Sequence, residues 1–209
     1  MKILSRVIFS AAIIGLTACS VSSSDRKLRG LETMSATKAS ILDGQREMDA
    51  AIVALNKLIS PQQENKQNLF RDFQTQLVAT DHQTQVIRDH LATLKDQGRD
   101  YFSAWDREIR GLKTEEIKRV DTRRRDQAKA SFDRIYQEVD STKNAFRPMM
   151  TTLFDIESYL KSDLSSTNLE RMRPLVLRTS NEADTVKKHV RAVLAEIDHV
   201  WLGLAQRTK

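Results

Sequence analysis

The sequence feature that most constrains the fold is an unbroken stripe of apolar residues between positions 128 and 160. Its members recur at alternating steps of four and three residues, and only one is polar: Ala128, Phe132, Ile135, Val139, Thr142, Phe146, Met149, Leu153, Ile156 and Leu160. A spacing that averages 3.5 residues keeps one side of a helix facing a partner helix. The stripe therefore predicts a long helix that packs lengthwise against other helices.

Two further segments carry the same spacing and supply the partner helices. One runs through Phe70, Phe73, Leu77, Thr80, Thr84, Ile87, Leu91, Leu94, Gly98, Tyr101 and Trp105, and the other through Leu169, Met172, Val176, Thr179, Ala183, Val186, Val190, Val193, Ile197, Val200 and Leu204. The small residues Thr80, Thr84 and Gly98 allow a close approach of a partner or leave the middle of the bundle weakly packed. An N-terminal stripe of Met34, Ile41, Met48 and Leu55 is weaker, because Lys38 and Gln45 interrupt its companion positions.

Turn and capping residues divide the chain into four helices, which we expect at about 26–59, 61–110, 115–162 and 168–205. The signals are Ser60 before Pro61, Gly111 before Thr114, and a capping box that starts at Thr167. Pro148 should kink the third helix without ending it, and Pro174 either kinks the fourth or marks its start. Gly (6) and Pro (3) are scarce, as in long helices. The predicted fold class is all-α: an elongated antiparallel helical bundle or coiled coil over 28–209, without a sheet.

The first eighteen residues have the composition of a secretory signal. Lys2 and Arg6 give a positive start, and an apolar run follows from Val7 to Leu16. This run is short for a membrane span. We therefore expect residues 1–18 to be removed and residues 19–27 to form a short tether.

The segment Leu16, Thr17, Ala18 and Cys19 resembles the lipobox of bacterial lipoproteins. The resemblance implies cleavage before Cys19, with acyl chains such as palmitate on its thiol and new amino terminus. Ser20 stands where the inner-membrane retention signal would place Asp, which implies an outer-membrane protein that faces the periplasm. The alternative is an ordinary signal peptide with an incidental cysteine. Because Cys19 is the only cysteine, no internal disulfide can form.

Charge indicates the possible partners only weakly. The net charge is +6, and removal of Lys2 and Arg6 leaves +4. Export argues against a nucleic-acid partner, and a mild positive balance suits anionic lipid heads or acidic envelope polymers. We expect the membrane, through the lipid anchor, and either a protein partner or a second copy of the chain.

No arrangement of residues in the sequence indicates catalysis or metal binding. There is no Gly-rich phosphate loop or nucleophile elbow. The histidines (His82, His90, His189 and His199) are eight and ten residues apart within each pair, whereas zinc ligands on one helix stand three or four apart. We expect no catalytic residue, cofactor or metal, and nothing in the sequence marks a cavity for a small molecule.

One stretch of the third helix is a candidate face for an anionic partner such as lipid heads or lipopolysaccharide phosphates. Its cations are Lys118, Arg119, Arg123, Arg124 and Arg125. A solvated face with pairs inside the helix, for example Asp121 with Arg125, is the simpler interpretation. Ile117, Val120 and Ala128 form only a thin apolar stripe here. The aromatic group around Trp105 is more readily explained as core than as a binding site.

From Leu55 onward the chain resembles an uncharacterised bacterial family of exported helical proteins, filed as a domain of unknown function. The resemblance lies in YFSAWDRE at 101–108, RRR at 123–125, FRPMM at 146–150 and YLKSDL at 159–164. It implies an all-helical exported protein and no particular activity. The sequence therefore favours a non-enzymatic envelope lipoprotein that acts as a structural scaffold or protein-interaction adaptor. The alternative is a helical protein that binds or remodels the membrane surface.

Overall fold

Four long helices make up the computed structural model, which describes residues 23–60 and 65–205. They are α1 (Ser23–Leu58), α2 (Lys66–Gly111), α3 (Glu115–Ser162) and α4 (Ser166–Ala205). Helices hold 95% of the described residues, and this part of the chain contains no strand. The all-α prediction is confirmed. The signal segment and the lipobox residues Leu16, Thr17, Ala18 and Cys19 lie outside the described residues.

The helices form a closed ring in which each packs against two neighbours: α1 against α2 and α4, and α3 against α2 and α4. Ion pairs and hydrogen bonds show that α1 and α4 run antiparallel, because ascending positions on α1 meet descending positions on α4: Lys38 with Asp198, Asp49 with Lys187, and Asn56 with Ser180. At 1.5 Å per residue, the 48 residues of α3 span about 72 Å. The structure is thus an elongated four-helix bundle.

The predicted stripe of α3 lies in the core. Phe132, Ile135, Met149, Leu153, Ile156 and Leu160 are buried, while Val139 and Phe146 are partly buried. The weaker stripe of α1 is also in the core, since Met34, Ile41, Met48 and Leu55 are buried. Lys38 interrupts this stripe without leaving an unpaired buried charge. Its side chain is partly exposed, and its ammonium pairs with Asp198 of α4 at 2.6 Å.

The glycine in the stripe of α2 marks a close approach of two helices. A Cβ atom at Gly98 would overlap the ring of Phe132, which packs from α3 onto the bare backbone. Gly44 of α1 meets Ile87 of α2 in a similar way, where an added Cβ would stand 2.5 Å from the Ile87 Cδ1. Close approach, the first of the two expectations for the small residues, therefore holds at Gly98.

The helix ends differ from the expected ones in three places. α1 begins at Ser23, inside the predicted tether of 19–27. α2 begins at Lys66 rather than at Pro61, and its N-cap is Asn65, whose side chain accepts a hydrogen bond from the Asn68 amide at 3.1 Å. Residues 61–64 are outside the described part of the chain.

α4 begins at Ser166, earlier than the predicted capping box at Thr167. The Ser165 hydroxyl accepts from the Asn168 amide, and the Asp163 carboxylate accepts from the Ser165 amide at 2.7 Å. The hydroxyl of Ser165 therefore caps α4 before the predicted Thr167, and Asp163 in turn binds the amide of Ser165. Pro148 and Pro174 both lie inside continuous helices, so Pro174 does not mark a helix start.

Candidate functional site

One end of the bundle contains the basic stretch of α3 and the aromatic group around Trp105, both of which the sequence indicated as candidates. The antiparallel order brings together the start of α1 at Ser23, the turn between α2 and α3 at residues 112–114, and the end of α4 at Ala205. We call this the N-terminal end of the bundle. Any lipid on Cys19 would enter here, because Cys19 stands only four positions before Ser23.

At this end, the first turns of α3 extend past the end of α4. The ion pair of Arg134 with Glu196, at 3.2 Å, sets the register of these two helices. Counted from this pair, the described residues of α4, which end at Ala205, reach only to about residue 125 of α3. Ile117 and Val120, before that point, are 55% and 49% exposed. The predicted thin stripe does not pack at these two positions, and only Ala128 reaches the core.

Three of the five cations of the predicted basic face form ion pairs with nearby acids, which lowers the number of unpaired cations on this face. Lys118 pairs with Glu115 and Arg119 with Glu116, each three residues apart on α3. Arg125 pairs with Asp126 and, across to α2, with Asp106 at 3.0 Å.

Arg123 and Arg124 are the two predicted cations that remain exposed and join no ion pair within the described residues. Arg110 and Lys113, at the turn between α2 and α3, are also exposed and join none. The sequence interpretation missed these two, although their place beside Gly111 was visible. The exposed cations of α3 and of the turn before it that are available to an anionic partner therefore include Arg110, Lys113, Arg123 and Arg124.

An aromatic cluster holds α2 and α3 together just inside this end. Trp105 and Phe102 of α2 are buried, and Phe102 meets the edge of Phe132 of α3 with ring centroids 5.6 Å apart. The indole Nε1 of Trp105 donates a hydrogen bond to Asp121 at 2.9 Å. These contacts support the interpretation of the Trp105 group as core.

Further exposed apolar residues surround the same end. Trp201 and Leu202 of α4 are 41% and 55% exposed, and Leu28 of α1 is exposed as well. Together with Ile117 and Val120, they give this end of the bundle five exposed apolar side chains. We call these five residues the exposed apolar set.

A cavity of about 150 Å³ lies halfway along the bundle, a feature that the sequence did not predict. All four helices line it: Ile41, Gly44, Gln45 and Met48 of α1, Thr84, Ile87, Arg88 and Leu91 of α2, Val139, Thr142, Lys143 and Phe146 of α3, and Val186, Val190 and Val193 of α4. The small residue Thr84 leaves this part of the bundle incompletely filled. This is the second expectation for the small residues of α2, and it holds at Thr84.

We infer that the cavity opens between α2 and α3, because its exposed lining residues stand on these two helices. Its floor is buried, since it consists of residues such as Ile41, Met48 and Val190, whereas Arg88 and Lys143 on its α2 and α3 sides are exposed. Hydrogen bonds join α2 and α3 on both sides of the cavity along the bundle, from Gln74 to Glu157 and, at its edge, from Tyr136 to the Leu91 carbonyl.

Tyr136 of α3 is linked to α2 at Leu91, a residue of the cavity lining, and its hydroxyl stays protonated there. Its hydroxyl donates to the Leu91 carbonyl at 3.3 Å. Burial, reinforced by the negative charges of Asp96 and Asp133, raises the pKa of Tyr136 above its ordinary value. A hydroxyl that keeps its proton remains a donor, so this link between α2 and α3 persists at all physiological pH values.

No group of three or more metal-ligating side chains is found among the described residues. In the same part of the chain, no helix has both the length and the apolar character that a bilayer crossing requires. Among the ionisable groups, the pKa of Lys187 is raised by its hydrogen bond to Asp184 and by Asp49. This group lies in a pairing between helices rather than in a site.

Comparison with known proteins identifies a family and nothing closer. The sequence model described as "Protein of unknown function (DUF2959)" matches residues 24–201. The match includes α1, so it extends well before Leu55, where the resemblance seen in the sequence began. No curated protein matches the chain. No solved structure matches it either.

Proposed function

Because the chain belongs to the DUF2959 family of proteins of unknown function, we propose its role from its own residues. It is a bacterial envelope lipoprotein that is anchored through Cys19, is not an enzyme, and acts as a structural scaffold or protein-interaction adaptor. The sequence supports the anchor through the lipobox Leu16, Thr17, Ala18 and Cys19. The outer membrane, facing the periplasm, is the proposed location.

One observation carries the scaffold role: all four helices share one continuous core of buried apolar side chains. Helices that share a lengthwise core resist bending relative to one another. With α3 about 72 Å long, such a body holds a partner at a fixed distance from its anchor. A lipid on Cys19, close to the start of α1, attaches one end of this body to the membrane. The far end, with the turn between α3 and α4, then projects into the periplasm.

Site-specific photocrosslinking in cells tests this role. A photoreactive amino acid replaces Leu177 of α4 or Val78 of α2, which are 66% and 65% exposed, so neither replacement disturbs the core. We expect one of the two positions to capture a defined envelope protein. Capture should fall in the variant Cys19→Ser, which lacks the anchor. Self-crosslinks alone at both positions, or turnover of a substrate by the purified chain, would contradict the adaptor role.

A second candidate function is direct binding to an anionic membrane surface by the N-terminal end. The observation that favours it is that this end carries both the exposed apolar set and the exposed cations Arg110, Lys113, Arg123 and Arg124. Apolar side chains enter the interface between lipid heads and tails, while cations attract anionic heads with about 1 kcal/mol per Lys or Arg. This function is compatible with the scaffold role, because it would fix the angle at which the bundle leaves the membrane.

Flotation of residues 20–209 with lipid vesicles tests the second function without the anchor. We expect the chain to float with vesicles of phosphatidylglycerol and phosphatidylcholine at low salt, and not with phosphatidylcholine alone. The double variant Arg123→Glu, Arg124→Glu should lose flotation. The matched control Lys161→Glu, Arg171→Glu makes the same charge change at the far end, where both residues are exposed. An equal loss in both variants would show that net charge alone drives binding and would contradict a site at the N-terminal end.

A further inference from the structure

The cavity halfway along the bundle has the features of a ligand site rather than of a packing defect. Its floor is formed by buried apolar side chains of α1 and α4, including Ile41, Met48 and Val190. An apolar space of about 150 Å³ is large enough to hold a small apolar group. It is also accessible, since it opens between α2 and α3 rather than being sealed within the core.

The few polar groups of the cavity are arranged asymmetrically. The hydroxyls of Thr84 and Thr142 donate to carbonyls of their own helices, at Thr80 and Glu138. The two cations of the lining, Arg88 and Lys143, stand on opposite sides of the opening and are exposed. Neither joins a carboxylate in an ion pair within the described residues. Gln45 of α1 is the remaining polar residue of the lining. The interior is thus mostly apolar and the opening is positive.

We propose that this cavity binds a single-chain anionic amphiphile. Its alkyl chain lies among the apolar residues, and its carboxylate or phosphate lies at the opening beside Arg88 and Lys143. The inference goes beyond the proposed function and does not depend on it. An apolar interior with a small number of placed charges is the usual composition of a small-molecule site.

The dimensions of the bundle indicate a free ligand rather than a chain that is still in a bilayer. On α2 the lining runs from Thr84 to Leu91, about 10 Å of helix axis, which suits a short alkyl chain. From Leu91 to Gly111 the axis extends a further ~30 Å, and from Lys66 to Thr84 about 27 Å. A lipid held in a bilayer at either end of the bundle would not reach the cavity.

Calorimetric titration of residues 20–209, which contain all four helices, tests the proposal with octanoate and 1-octanol. The two probes share a chain and differ in charge. We expect octanoate to bind with one site per chain, and 1-octanol to bind more weakly. The double variant Arg88→Gln, Lys143→Gln should weaken octanoate binding roughly tenfold and leave 1-octanol binding unchanged, because hydrogen bonds to charged groups are the stronger ones. The control Lys188→Gln, at an exposed position outside the lining, should bind octanoate as the unmodified chain does.

A cavity-filling variant tests whether the alkyl chain of the ligand lies in the cavity. Thr84→Leu with Thr142→Leu adds apolar volume and removes only hydrogen bonds within each helix. We expect it to abolish octanoate binding and to raise the melting temperature. The control Thr93→Leu with Thr151→Leu changes exposed threonines that make the same type of bond four residues back. It should leave binding intact.

Three results would overturn the proposal. They are no octanoate binding up to millimolar concentration, equal affinity for 1-octanol and octanoate, and unchanged octanoate binding in either the filled variant or the charge variant. A competition experiment with vesicles of phosphatidylglycerol separates a free ligand from a bilayer lipid. The vesicles should not displace octanoate, since bilayer lipid does not reach the cavity. If the filled variant fails to fold, the charge variant still decides.

Discussion

Adding one methyl group at Gly98 should destabilise the bundle, although alanine is the better helix former. In the structure, the ring of Phe132 occupies the space where a Cβ of residue 98 would lie. Phe132 is buried and also contacts Phe102 and Tyr136, so the ring has little room to move. Gly30 of α1, where a Cβ would meet nothing within 4 Å, is the matched control.

The magnitude follows from two opposing effects. Gly→Ala inside a helix stabilises by about 1 kcal/mol. Overpacking in a well-filled core costs about 1–3 kcal/mol. Gly30→Ala has only the first effect, so the free energies of unfolding of the two variants should differ by about 1–3 kcal/mol. For a domain of this size that corresponds to roughly 2–12 °C in melting temperature.

Thermal and urea unfolding, followed by circular dichroism at 222 nm, measure this difference. The double variant Gly98→Ala, Phe132→Leu separates the clash from other causes, because a smaller side chain at 132 makes room for the methyl group. We expect Gly98→Ala to cost less stability in the Phe132→Leu background than in the unmodified chain. If Gly98→Ala stabilises the protein as much as Gly30→Ala does, the close approach of α2 and α3 at this position is refuted.

Three further predictions concern a helix cap, a pH dependence and an optical signal. Asn65→Ala should lower the free energy of unfolding by about 1 kcal/mol, whereas Thr114→Ala should change it little because the Thr114 side chain makes no capping hydrogen bond; equal losses in urea unfolding would contradict this. Burial raises the pKa of Tyr136 from its ordinary value of 10.0, so the stability that it contributes is present below pH 10 and is lost as the pH rises further. The Tyr136→Phe variant should therefore lose less stability between pH 9 and 11 than the unmodified chain, and parallel curves would refute the shift. Trp201 is exposed and Trp105 buried, so Trp105→Phe should leave red-shifted emission that acrylamide quenches readily, and Trp201→Phe the reverse; similar quenching in both would be inconsistent with this placement.

Hydrophobic spacing predicted most of the fold, because a period of 3.5 residues leaves few other options for a chain with so few turns. It identified the buried stripe of α3 from Phe132 to Leu160. It also identified the stripe of α1, although Lys38 made this helix look less secure. What spacing did not show is that the Lys38 side chain reaches Asp198, a residue 160 positions away. The position of a long polar side chain at the edge of a stripe depends on its partner on another helix, and the spacing within one helix does not show that partner.

Local signals were less reliable at the helix ends. Pro61 and Thr167 are good starts on local chemistry, yet Asn65 caps α2, and Ser165 with Asp163 caps α4. Several polar residues in each turn compete for the same exposed amides, and the tertiary position of the helix decides among them.

The candidate sites depend on how the helices are aligned with one another. This alignment cannot be read from the sequence of any one helix. The cations of α3 were visible in the sequence, but their pairing was not. Arg125 reaches Asp106 on α2, while Arg123 and Arg124 remain without an ion pair within the described residues. The cavity was hidden for the same reason, since the small residues Thr84 and Thr142 leave space only because they lie at the same height. Such coincidences become visible once the four helices are aligned.

The central claim is that Cys19 carries a lipid and attaches the N-terminal end of the bundle to the envelope. Mass spectrometry of the N-terminal peptide of the protein extracted from its own membranes tests it most directly. We predict a peptide that begins at Cys19, lacks residues 1–18, and carries a diacylglyceryl group on the thiol with an acyl chain on the amino terminus. A peptide that begins elsewhere, or a Cys19 without lipid, would contradict the account.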